Sequence, residues 1–204
     1  GGPNLIWGSN PVYTQVNLMT HISRARKQRG ARLVVIDPYR TPTARQADVH
    51  LQPLPGTDAA LACAIMHVLF RDGYADKDYM AAFTNDADLL ERHLQSRDPA
   101  WAAALTGIPV ESIEALAKDY GLTDRAIIRL GYGFSRSRNG AASLHAVTCL
   151  PAVRGAWKHP GAGLYGSIGQ NFKLNTSLIT GVESQDVRRL DMSQLGPILS
   201  GEAG

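Results

Sequence analysis

Four short apolar runs constrain this chain more than any other feature. Leu33-Val34-Val35-Ile36 is uninterrupted and rich in β-branched residues, the pattern of a strand buried on both faces of a parallel sheet, and Asp37-Pro38 ends it. Leu5-Ile6-Trp7 and Ala126-Ile127-Ile128-Arg129-Leu130 read the same way, with Val49-His50-Leu51 as a further short strand. Segments of helical character lie between them. Val12, Val16, Met19 and Ile22 sit at helical spacing and predict a helix from Val12 to Arg29. Its last turn carries Arg26, Lys27 and Arg29 at the negative end of the dipole, and Gly30 stops it. Pro53 to Gly56 is a turn, and Thr57 is a candidate N-cap for a helix from Asp58 to about Arg71. Residues 76–120 read as mostly helical, broken at Thr84-Asn85, Asp98-Pro99 and Gly107-Ile108-Pro109. Ser137 or Asn139 is the candidate cap of a helix through about Ala152, and Lys158 to Asn175 is rich in glycine and polar residues.

Strands that alternate with helices at this spacing mean an α/β fold with a mainly parallel sheet. The expected architecture is a Rossmann-like three-layer unit over residues 1–135, followed by an incomplete part of a second α/β domain over 136–204. The length of 204 residues with 44% hydrophobic content is enough to bury a core. Two cysteines far apart, Cys63 and Cys149, exclude a disulfide scaffold, a zinc ribbon and a self-contained iron–sulfur site, and read instead as small buried hydrophobes. The longest apolar run, around residues 61–70, is interrupted by His67 and too short to span a bilayer, so no membrane contact is expected of this segment. The six histidines lack metal-ligand spacing, so no metal ligand is assigned. His67, inside an apolar helix, reads as a satisfied core residue. Both ends look cut, which makes the chain an expected piece of a longer protein and leaves a cytoplasmic or a periplasmic location open.

Charge is unevenly spread. Residues 1–57 hold seven Lys/Arg and two acids, residues 58–124 five and twelve, and residues 125–182 seven basic residues and no carboxylate. An acid-free stretch rich in glycine and asparagine suits an anionic ligand. Aromatic residues do not interleave with the basic ones, so nucleic acid is not the expected partner.

In parallel sheets ligands sit beyond the carboxyl ends of strands. That rule selects Gly8–Pro11, Asp37–Thr41 and Gly131–Arg136. Gly8 lets backbone approach a ligand, and Asn10 offers a donor and acceptors, although a plain strand-to-helix turn uses the same residues. Asp37 stands where Rossmann-like folds hold a ribose diol; a carboxylate also accepts from the paired N–H groups of guanine, and Arg40 could meet phosphate or a base. A helix cap with an exposed Arg40 is the competing reading. Gly56-Thr57-Asp58 opens a helix, where Asp58 either serves the dipole or grips a nucleoside. Gly131-Tyr132-Gly133-Phe134-Ser135-Arg136 resembles a glycine-rich phosphate loop with Arg136 in place of the third glycine. Gly161 to Gly166 matches GxGxxG literally but follows Trp157-Lys158-His159-Pro160, which is no strand, so the dinucleotide reading is rejected there. Asn175-Thr176-Ser177 is a chance sequon.

Taken in order, WGSNP (7–11), VVIDPYRT (34–41), ADVHLQPLPGTDAAL (47–61), GYGFSRSRNG (131–140) and GAWKHPGAGL (155–164) resemble the molybdopterin oxidoreductase family. That family includes formate dehydrogenases, nitrate reductases and dimethyl sulfoxide reductases. The closing stretch from Arg189 to Gly196 is similar to a segment found further along in these enzymes. The resemblance implies bis(molybdopterin guanine dinucleotide) with molybdenum or tungsten, and two-electron redox of a small substrate such as formate, a sulfur oxyanion or nitrate. By position it assigns Gly8, Ser9, Asn10 and Pro11 to the loop against one guanine dinucleotide. Asp37, Arg40 and Thr41 match its strand-end contacts, and Gly56, Thr57 and Asp58 a further guanosine contact. Tyr132, Gly133 and Arg136 match the loop near the pterin and metal. Arg136, where many relatives carry Gln or His, is the expected catalytic residue, orienting a small anionic substrate. The family's iron–sulfur cysteines, its metal-ligating residue and its closing domain are expected outside this chain, which should not turn over substrate alone. An electron-transfer subunit or domain is the expected partner. Two rivals stand beside this reading: a pterin-free relative like the large subunit of respiratory complex I, and a nicotinamide- or sugar-nucleotide-binding Rossmann protein.

Overall fold

A computed structural model describes residues 2–167, 173, 175 and 190–201. Gly1–Ser167 form one compact unit and Ile168–Gly204 a second. In the first, β1 (Asn4–Trp7), β2 (Leu33–Ile36), β3 (Val49–Leu51), β4 (Ile127–Leu130) and β5 (Gly163–Tyr165) make one parallel sheet in the order β3-β2-β1-β4-β5. The register sets Trp7 beside Ile36 and Leu130, so three strand ends finish level and release their loops together.

The side-chain alternation of these strands divides the core. Leu5, Trp7, Val34, Ile36, Leu51, Ile128 and Leu130 face a thick helical layer. That layer is built from α3 (Asp58–Arg71), α4 (Lys77–Phe83), α5 (Ala87–Leu94), α6 (Pro99–Thr106), α7 (Val110–Gly121) and α8 (Gly140–Arg154). α3 is its centre, packed against α6, α7 and α8. Ile6, Leu33 and Val35 face the other way, onto Met19 and Ile22 of α2 (Val16–Arg29). This is a three-layer α/β sandwich with a mainly apolar parallel sheet, as the strand runs imply.

Several local expectations change. The helix expected from Val12 to Arg29 is two: α1 (Pro11–Thr14) and α2, separated by Gln15 at φ −150°. The Val12 N–H, in the first turn of α1, is satisfied by the Thr43 hydroxyl at 3.1 Å. Thr57 precedes α3 but does not cap it with its side chain; its hydroxyl donates back to the Leu54 carbonyl at 2.7 Å. Asn139 precedes α8, yet its amide reaches across to the Gly56 carbonyl at 2.7 Å instead of capping. α8 continues past Ala152 to Arg154 with Pro151 inside it. The literal GxGxxG carries an edge strand, β5, that pairs with β4.

The stretch expected to open a second domain at 136 is divided between the two units: α8 packs on α3 and β5 extends the sheet, both inside the first. In the second unit the described residues include a turn at Met192–Gln194 and a short helix at Leu195–Ser200, with the Asp191 carboxylate accepting from the Ser193 N–H and hydroxyl, each at 2.8 Å. Thr176 and Ser177 of the sequon and Arg189 lie outside the described residues. Among the described residues no helix is long and apolar enough to cross a membrane.

Candidate functional site

The chain leaves β1 toward β2 and β3 on one side and meets β4 and β5 on the other, so the sheet order reverses at β1. Loops diverge at such a switch point and leave a crevice. Here it is a cleft of about 710 Å³. Its floor is Gly8, Ser9 and Asn10 after β1, with Gly131, Tyr132 and Gly133 after β4. Arg136, Arg129, Gln15 and residues of α8 and β5 make its walls.

Close approach of two backbones builds the floor. Gly131 N–H donates to the Trp7 carbonyl at 2.9 Å and Gly133 N–H to the Gly8 carbonyl at 3.1 Å. A Cβ on Gly133 would sit 2.9 Å from the Gly8 oxygen, and one on Gly131 would collide with that same oxygen. Gly8 itself holds φ +62°, a conformation that side chains rarely adopt. Both loops therefore require glycine here, and the gap beside them stays open to a ligand.

The expected residues fall into two groups. Gly8, Ser9, Asn10, Tyr132, Gly133 and Arg136 line the cleft together. Asn10 is fixed through its carbonyl oxygen Oδ1, which accepts from the Thr43 hydroxyl at 2.7 Å, while its amide nitrogen makes no bond among the described residues. Tyr132 is exposed and donates to Ser167 Oγ at 2.8 Å. Arg136 is exposed without a partner among the described residues. Pro11 is buried and opens α1.

The second group lies beside the cleft, past the ends of β2 and β3. Asp37 is half-buried; its Oδ1 accepts from the Tyr39 N–H at 2.9 Å, and its carbonyl meets His50 Nε2 at 2.9 Å. Burial pushes the Asp37 carboxyl above its usual value and the nearby Asp58 charge adds to this, while the Tyr39 N–H and His50 pull it back. Asp58, at the first position of α3, accepts from the buried Trp7 indole N–H at 2.7 Å. Thr41 is buried with its hydroxyl accepting from the Ala44 N–H at 3.1 Å, and Arg40 is exposed. Gly56 turns at φ +83° and receives the Asn139 amide, which ties the entry of α3 to the loop after β4. Two carboxylates thus stand as electrostatic neighbours beside the glycine-floored cleft, itself lined among the described residues by two arginines and no acid.

Sequence reasoning missed Arg129 and Gln15. Arg129 extends from β4 into the cleft wall, and its Nε donates to Gln15 Oε1 at 3.1 Å. The signal was visible as the single charge inside the apolar run Ala126–Leu130. His67 behaves as expected, its Nδ1 2.8 Å from the Leu94 carbonyl. Cys63 and Cys149 are free and pack against the core.

A family model described as molybdopterin oxidoreductase matches residues 4–195. The Bacillus subtilis protein named probable oxidoreductase YoaE is 35% identical over 198 residues, which covers 96% of this chain and 29% of that protein. The F420-dependent formate dehydrogenase 1 subunit alpha of Methanococcus maripaludis is 35% identical over 166 residues, 81% of this chain and 24% of that subunit. The probable dimethyl sulfoxide reductase chain YnfF of Escherichia coli is 31% identical over 176 residues, covering 74% and 22%. The chain spans less than a third of the length of these curated relatives. Among solved structures, acetylene hydratase from Pelobacter acetylenicus shares the fold with a TM-score of 0.67 at 24% identity, over 76% of this chain and 21% of that one.

Proposed function

The chain belongs to the molybdopterin oxidoreductase family, and on that premise we propose that it is the part of such an enzyme that holds a guanine dinucleotide of bis(molybdopterin guanine dinucleotide). The observation that carries this reading is the cleft floored by glycine backbone at the switch point, lined among the described residues by two arginines and no acid, with Asp37 and Asp58 beside it. The donor set fits the group. Backbone at Gly8, Gly131 and Gly133 lets an anionic diphosphate come close. Ser9 and the free Asn10 amide offer hydrogen bonds to the same nucleotide. The Asp37 and Asp58 carboxylates accept from guanine N–H groups or ribose hydroxyls, with Arg40, Thr41, Gly56 and Thr57 shaping that end.

When bound, the metal and its dithiolenes supply two-electron redox chemistry; the protein supplies position and charge. Arg136, exposed on the cleft wall, orients a small anionic substrate: formate, a sulfur oxyanion or nitrate. The proposal extends to a longer protein with an iron–sulfur cluster in a preceding region and a partner subunit or domain for electron transfer. The test is twofold. Acid-treated protein, isolated with its whole native chain, releases GMP and contains molybdenum or tungsten. Titration of cofactor-free protein gives a guanosine preference over NAD. Absence of GMP and of both metals, with NAD bound more tightly, would replace this reading with the Rossmann alternative.

A further inference from the structure

Four arginines of the described residues are half-buried; two of them pair with a carboxylate and a third stacks on an aromatic ring. Arg26 pairs with Asp48 and Arg154 with Asp124, each at 2.6 Å, while Arg97 stacks over the Trp101 ring at 4.9 Å. Arg129 is the fourth. The register places it between Ile6 of β1 and Tyr165 of β5, on the sheet face that α2 covers only in part. Its contacts are all neutral: Nε to Gln15 Oε1 at 3.1 Å, and Nη1 to the carbonyls of Leu130 at 2.8 Å and Tyr165 at 3.1 Å. Nη2 makes no bond among the described residues. No carboxylate among the described residues lines the cleft into which this edge opens.

A half-buried cation without a counter-charge is costly to hold. Burial pulls the Arg129 guanidinium below its usual value, as that cost requires. Three neutral acceptors nevertheless lock the guanidinium in one orientation. Fixing a cation this way is what preorganised anion recognition needs, because the entropy of ordering is lost before the ligand arrives.

We propose that Arg129 is the phosphate anchor of the cleft, its Nη2 edge donating to the nucleotide diphosphate, with Gln15 the residue that positions it. This assignment rests on the cofactor reading above. It divides the two cleft arginines: Arg129, held in place, takes the diphosphate, and Arg136, free in solvent, is left for substrate. A guanidinium presents parallel N–H groups to a phosphate, which a glutamine cannot replace.

The experiment is calorimetric titration of cofactor-free protein, carrying its whole native chain, with guanosine, GDP and sodium formate. Wild-type protein binds GDP at least about tenfold more tightly than guanosine, the effect of one charge-assisted contact. Arg129→Gln removes that factor and leaves guanosine affinity within about twofold, and Arg136→Gln keeps the factor. An undiminished GDP preference in Arg129→Gln overturns the assignment. If that variant does not fold, phenylglyoxal modification of the wild type decides. Protection of the Arg129 peptide by GDP and not by guanosine supports the anchor. Equal labelling with and without GDP, or protection by formate alone, overturns it. Wild-type protein that binds neither guanosine nor GDP defeats the cofactor reading itself, a different result from guanosine binding with an Arg129-independent preference.

Discussion

Asp58 joins a structural bond to the proposed nucleotide site. Its carboxylate is the acceptor for the indole N–H of Trp7, which is fully buried at the end of β1. Asp58→Ala leaves that N–H without a partner in a dry environment, a loss of about 1–3 kcal/mol. Asp58→Asn keeps an acceptor oxygen and loses less. Urea denaturation should rank wild type above Asp58→Asn above Asp58→Ala; equal midpoints for wild type and Asp58→Ala would mean the indole bond carries no weight. Both variants should weaken guanosine binding. Several candidate site residues are visible in the sequence at this scale because strand-end chemistry is local: Asp37 and Gly8 announce themselves by following apolar strands. Arg129 shows in the sequence only as a lone charge in an apolar run; its neutral surroundings depend on Gln15 and Tyr165 arriving from distant parts of the chain.

At the scale of elements, α3 is the beam on which the helical layer rests. Leu61, Ile65, Val68 and Leu69 are buried in its contacts with the sheet and with α6, α7 and α8. Ile65→Ala should cost about 2–5 kcal/mol, measured as a lowered urea midpoint at unchanged slope. A surface position on α5 such as Leu89, 57% exposed, should cost far less when truncated. The pattern of α3 was legible because its apolar residues and acidic first turn are encoded within one segment. The break at Gln15 was not, because Val12, Val16, Met19 and Ile22 keep helical spacing across it. β5 escaped notice for the opposite reason. Gly163-Leu164-Tyr165 is only three residues long, begins on a glycine and becomes a strand by pairing with β4.

For the whole molecule, two aspartates in the β2–β3 region set opposite pH dependences. Asp48 accepts from the Leu33 N–H at 2.7 Å and from Arg26, and the backbone bond is the main cause that holds its carboxyl below the usual value. A depressed carboxyl contributes stability above its unfolded-state value that is lost as pH falls through the folded one, so this contribution disappears below about pH 4. Asp37, raised by burial, acts the other way: the folded state holds its proton longer, and stability declines as pH rises through the window just above about 4. Thermal unfolding between pH 2 and 7 should show a flatter acid limb for Asp48→Asn and the reverse change for Asp37→Asn. Parallel curves for Asp48→Asn and wild type would remove Asp48 from the acid response. The layered architecture, though not its fifth strand, was legible because four apolar runs and the helices between them permit few other arrangements. The partition of the site was not, because the gap between the strand ends exists only once β1 and β4 are neighbours.

The Trp7–Asp58 bond turns the end of β1 into an optical gauge. An indole sealed from solvent emits at short wavelength, and its N–H rests on one of the carboxylates proposed to grip guanosine. With the protein's other tryptophans, Trp101 and Trp157 among them, replaced by phenylalanine, the Trp7 emission should shift as nucleotide saturates the protein, giving a label-free readout of occupancy. A spectrum unmoved at saturation would mean that the base never touches Asp58.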